Sequence, residues 1–155
     1  MDNKKLKKLG RVMEIILKVS FVLAIIVLLG LYFITKLFKI HFDLFIIMIY
    51  PCGILFICMI YEFICLFKSL YKGKPFCLEN VKILKNNMIL STLISIFVFI
   101  ALLIACLMYN YYTLQLKFAL GFIILLFFIA SIACYVLSEL FNQAYKYKEE
   151  NDLTI

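Results

Sequence analysis

The chain has 155 residues and is 66% apolar, with 16% charged side chains and a mean hydropathy of +1.09, against roughly 45–50% apolar in an ordinary soluble domain. A fold of this size cannot keep that much apolar surface out of water, which excludes a soluble globular enzyme, a secreted disulfide scaffold and a disordered chain. The formal charge of +7 comes from basic residues that flank apolar runs, a pattern of headgroup contact and topology setting rather than of nucleic-acid binding.

A bilayer core of about 30 Å takes about 20 helical residues to cross, and four runs reach that length. A basic head precedes the first, at residues 13–35; this run is long and has no small-residue cleavage site, so it reads as a retained span rather than a signal peptide. The second occupies residues 44–67 and carries one acid, Glu62. The third occupies 87–109 and the fourth 118–138, which has no charge inside it. The runs are rich in Ile, Leu and Phe without alternation, which points to helices rather than the strands of a membrane barrel.

Basic residues set the orientation. Lys4, Lys5, Lys7, Lys8, Arg11 and Lys18 in the head, Lys68, Lys72, Lys74, Lys82 and Lys85 in the middle loop, and Lys146 and Lys148 in the tail fall on one side. Lys36, Lys39 and Lys117 fall on the other. Positive charge collects on the cytoplasmic side, so both termini, the loop (68–86) and the tail (139–155) are expected there, in a multi-pass protein of the cell (inner, cytoplasmic) membrane. Short outer links at residues 36–43 and 110–117 make successive helices antiparallel neighbours.

The fold expected is therefore all-α and integral to the membrane. It is a single domain, an antiparallel bundle of four transmembrane helices with short loops. After Gly73 and Pro75, the spacing of Leu78, Val81, Leu84 and Met88 predicts an amphipathic cytoplasmic helix before the third span, with Lys82 and Lys85 on its polar side. Leu137, Leu140, Phe141 and Ala144 predict a helical cytoplasmic tail, ending in acidic Glu149, Glu150 and Asp152 and apolar Leu153, Thr154 and Ile155.

Charges within or beside spans are the first places to seek chemistry, because burying them in lipid costs several kcal/mol. Glu14, Lys18, Glu62 and Glu139 all fall near the inner interface. Glu14 and Lys18 stand one turn apart, in the favourable order for an ion pair. The four are expected to form an interfacial charge cluster that fixes helix packing; the sharper alternative is a cation or proton site, which transporters place at mid-membrane. Pro51 and Gly53 mark a kink or a ligand notch in the second span. Ser91, Thr92 and Ser95, with Ala101/Ala105 and Ala130/Cys134, give small faces for close helix packing. The six cysteines form no Cys-x-x-Cys pair, and five lie in or at the ends of apolar runs, where Cys behaves as a small hydrophobe. His41 is the only histidine, and no nucleophile, phosphate-loop or metal motif is present. Neither catalysis, a metal nor a cofactor is expected.

Two stretches carry a family resemblance. Gly73-Lys74-Pro75-Phe76-Cys77-Leu78-Glu79-Asn80, followed by Leu84-Lys85, resembles the G-x-P-F-x-x-E-N segment of a bacterial membrane family, the domain of unknown function 2975. So does the ending, Leu137-Ser138-Glu139-Leu140-Phe141, then Ala144, then Lys148-Glu149-Glu150-Asn151-Asp152-Leu153-Thr154-Ile155. The family has no established activity. The resemblance implies four spans with little outside them, and a place beside a small helix-turn-helix regulator. It makes Gly73, Pro75, Phe76, Glu79, Asn80, Glu139, Phe141, Glu150, Asn151, Asp152, Leu153, Thr154 and Ile155 the candidate interaction or structural motif.

Glu79 and Asn80, at the start of a helix, are expected to satisfy its first N–H groups. Lys74, Lys82 and Lys85 are expected to face Glu149, Glu150 and Asp152, with Leu153 and Ile155 plugging a groove between helix ends. The function this suggests is a non-enzymatic membrane protein that binds or restrains a cytoplasmic helix-turn-helix regulator, without itself binding nucleic acid. Membrane lipids are the other partners. The alternative is a small transporter or an immunity-type protein against membrane-active peptides. Oligomerisation is left open.

Overall fold

The structure, a computed structural model, describes residues 3–37, 44–72, 75–107 and 113–152. It consists of four helices: α1 (Asn3–Leu37), α2 (Leu44–Tyr71), α3 (Leu78–Leu107) and α4 (Leu114–Asp152). Each contains a stretch long and apolar enough to cross a membrane: Gly10–Leu31, Ile49–Leu70, Leu78–Leu107 and Leu114–Asn151. Hydrocarbon offers the backbone no hydrogen-bonding partners, so each segment satisfies its own amides as a helix.

Helix starts have local causes. Thr113 caps α4, its Oγ1 accepting from the Leu116 N–H at 3.4 Å while its carbonyl accepts from Lys117 at 3.4 Å. At α3 the Cys77 carbonyl accepts from the Asn80 and Val81 amides. Glu79 lies in that first turn, where the helix dipole favours an acid. Pro51 is carried inside α2 without ending it.

Contacts between helices run antiparallel. From Glu62 to Met59 on α2, partners on α3 rise from Asn86 to Ser91. From Ser131 back to Ile124 on α4, partners on α3 rise from Thr92 to Ser95. On α1 and α2, Phe21 meets Tyr61 and Leu28 meets Gly53. The ends of α2 and α4 and the starts of α1 and α3 therefore share one end of the bundle, here the termini end; the other is the turn end.

The helices pack in chain order, α1 on α2, α2 on α3 and α3 on α4. α3 is the central member and carries most of the buried side chains, from Asn80 and Leu84 to Ala101 and Ala105. α1 is its opposite: no residue of its most apolar window is buried, and it is held through α2. Gly53 permits that contact, since a Cβ there would stand 2.5 Å from Leu28 Cδ1.

The amphipathic helix expected to lead into the third span is continuous with it: Leu78 to Leu107 is one unbroken helix. Its apolar stripe turns inward, with Val81 and Leu84 buried at 5% and 1% exposure while Lys82 and Lys85 stay outside. Burying those side chains against neighbouring helices satisfies them without a headgroup surface. The tail does not turn back before Asp152. α4 runs 39 residues, about 58 Å at 1.5 Å per residue, almost twice a bilayer core, with Lys146 to Asn151 exposed along it.

Candidate functional site

At the termini end, the turn between α2 and α3 is fastened from inside. Asn80 is fully buried, and its Nδ2 donates to the Pro75 carbonyl at 2.7 Å. The side chain thus works opposite to the expected cap: it donates back to the turn instead of accepting a helix N–H. Leu78 and Glu79 point outward while Asn80 and Val81 point in, so the turn enters α3 with a fixed rotation. Ser69 at the end of α2 lies 3.7 Å from the Cys77 sulfur, a second tie across the same turn.

The tail joins this turn through one aromatic pair. Phe76, 44% exposed, packs edge-on against Phe141 of α4, ring centroids 5.6 Å apart at 62°. The two stretches singled out in the sequence, distant along the chain, thus meet at one surface. Ser138, one turn before Phe141, is fully buried with its hydroxyl donating to the Tyr135 carbonyl. Gly73, Lys74, Leu153, Thr154 and Ile155 lie outside the described residues. Glu150 and Asn151 lie on the exposed last turns of α4 with Asp152 at its end. The expected pairing of Lys74, Lys82 and Lys85 with Glu149, Glu150 and Asp152, and the groove for Leu153 and Ile155, fall in part outside the described residues; α4 itself is continuous to Asp152.

Beneath the turn a polar seam runs along α3. Asn87 and Ser91 are fully buried; Ser91 Oγ donates to the Asn87 carbonyl at 2.6 Å and approaches Met59 Sδ at 3.5 Å. Asn87 Nδ2 donates to the Ile83 carbonyl, while its Oδ1 is buried without a partner. Thr92 and Ser131 hydroxyls lie 2.7 Å apart, and Ser95 donates to the Ile124 carbonyl at 3.2 Å. The small polar face read from Ser91, Thr92 and Ser95 is therefore used for packing within the chain, between α3 and its two neighbours. The sequence reading gave no role to Asn86, Asn87 or Ser138; the recurrence of Asn80, Asn87, Ser91 and Ser95 at helical spacing is the signal that finds Asn87, and the other two carry no such signal.

The four interfacial charges do not assemble as one cluster. Glu14 and Lys18 pair at 2.7 Å, as their spacing predicts. Arg11 and Lys68 also act on the Glu14 carboxylate, so the end of α2 shares its field. Glu62 instead accepts from Asn86 Nδ2 of α3 at 3.2 Å. Glu139 is exposed on α4, which packs on α3 at the far side of the row from α1. Glu139 stands apart from the Glu14–Lys18 pair because α1 and α4 are not neighbours, while Glu62 on α2 accepts from α3. Among the described residues no group of His, Cys, Asp and Glu is placed to hold a metal ion.

At the turn end, α1 and α4 stand apart and leave a cleft of about 830 Å³ lined by all four helices. Its floor includes Phe56 of α2 and Phe127 of α4, rings edge-on at 6.1 Å. Gly53 and Cys52 line it, and Pro51 is not among its lining residues.

The family described as Protein of unknown function (DUF2975) matches residues 15–155. The chain belongs to that family, in agreement with the loop and tail motifs. No curated protein and no solved structure matches it.

Proposed function

We propose that the chain is a non-enzymatic, multi-pass protein of the cell membrane, with both termini in the cytoplasm, that binds or restrains a cytoplasmic helix-turn-helix regulator through the surface formed by its inner turn and α4. The Phe76–Phe141 contact carries this reading. It joins the two distinctive motifs at one end, the end to which the basic residues assign the cytoplasm. A surface with exposed Phe76 and Leu78, exposed Lys82 and Lys85, and the acids of α4 supplies an apolar anchor ringed by charge, the usual anatomy of a protein contact. The transporter alternative has less support: the cleft offers almost no polar groups to hold a polar cargo.

Co-purification from detergent with a candidate helix-turn-helix regulator tests the reading. The intact chain retains the regulator, and Phe141→Ala with Phe76→Ala releases it while the four helices stay folded. No retention by the intact chain overturns the proposal.

A further inference from the structure

The turn-end cleft lies at membrane depth, because every lining residue belongs to a stretch able to cross the bilayer. On α4 its lining runs from Leu116 to Phe127, about 16 Å of helix, or about half of a bilayer core. It therefore opens sideways into the hydrocarbon of one leaflet. Among the described residues Ser20 and Cys52 supply the only side-chain heteroatoms in the lining, so nothing there recognises a polar molecule. Its volume, about 830 Å³, falls within the roughly 300–1,000 Å³ of small-molecule sites. Lipid tails are the solvent at this depth, and the lining, two-thirds Leu, Val, Ile and Phe with small residues such as Ala24, Gly53 and Ala119 between them, offers a hydrocarbon chain dispersion contact along its length. At the turn-side limit of the cleft, Leu116 is followed by Lys117, a cation at the level of the headgroup of any lipid whose tail lies along the cleft.

We propose that the cleft binds an acyl chain of a bilayer phospholipid, with its phosphate at the level of Lys117. The site is at the opposite end from the turn and tail surface, so it stands or falls separately from the regulator reading. α1, held through α2 alone, forms one wall, and an ordered chain between α1 and α4 takes the place of the helix contact the fold lacks.

The test uses the full chain in phosphatidylcholine vesicles containing phosphatidylglycerol with a mid-chain diazirine. After photolysis, label is mapped by peptide mass spectrometry. The expected result is severalfold more label on Val98, Leu120 and Ile123 than on Phe122 and Leu125, which face outward at similar depth. Ala24→Phe or Ala119→Phe fills the cleft and removes the excess without altering the outward positions. Lys117→Glu lowers labelling by the phosphatidylglycerol probe but not by an uncharged diacylglycerol bearing the same chain. Even labelling of cleft and outward positions overturns the proposal, as does label insensitive to the filling substitutions. Cleft residues that crosslink instead to a second copy of the chain also overturn it, as does labelling by a free photoreactive fatty acid alone.

Discussion

The two ends of the bundle are built on different principles. At the termini end, α2, α3 and α4 are tied by directional contacts: Asn80 to Pro75, Glu62 to Asn86, Thr92 to Ser131 and Phe76 to Phe141. Toward the turn end, beyond the Ser95–Ile124 hydrogen bond, the described parts of the same helices meet mainly through apolar side chains around the cluster of Ile94, Val98, Ala105 and Leu120, and a cleft opens beside it. In a bilayer there is little hydrophobic drive between helices, so hydrogen bonds and close packing decide where they hold together. The termini end is therefore the end with a specified geometry, and the turn end the one able to admit hydrocarbon.

The difference is sharpest in two leucines. Leu84→Ala, at a position 1% exposed, leaves a void among tied helices and is expected to lower unfolding stability by about 2 kcal/mol or more, because the cavity penalty persists in a membrane. Leu23→Ala, on the cleft wall at 55% exposure, is expected to stay within about 0.5 kcal/mol. Equal losses, measured by thermal or denaturant unfolding in one detergent, would erase the contrast.

Asn80→Leu comes next, at about 1–3 kcal/mol, since it leaves the Pro75 carbonyl without its buried donor. Asn80→Asp, which keeps the shape and cannot donate when ionised, should be at least as damaging; tolerance of Asp would show that shape, not donation, holds the turn. A double-mutant cycle on Phe76 and Phe141 is expected to give a coupling of about 0.5–1.5 kcal/mol, and a coupling near zero would detach turn from tail. The smallest effect belongs to Glu14→Gln, about 0.3–0.5 kcal/mol, as for a helical i,i+4 pair with one exposed partner, and it should shrink in high salt.

The spans were legible because hydrophobic length is a property of the chain itself: four runs separated by basic or polar residues become four helices whatever their packing. Glu14 with Lys18 was legible for the same reason, as a pair within one helix. What the sequence hid depends on which helices are neighbours. Glu62 and Glu139 looked equivalent by depth, yet α2 offers Glu62 an Asn from α3, and α4 carries Glu139 to the edge of the row. The stripe from Leu78 to Met88 had the period of a surface helix; a buried helix has the same period, and only the position of α2 and α4 around it tells them apart. Asn80 was picked out as a cap, but its direction of donation follows from the path of the turn, which spacing does not encode.

α4 is mechanically a single piece. With no break from Leu114 to Asp152, the helix is a shaft that passes through the lipid and projects well beyond it. A twist of its embedded part by one residue position, about 100°, would swing Glu149 and Glu150 through the same angle. Events among the fatty chains could in that way be read as a change in which compass direction the acidic tip faces.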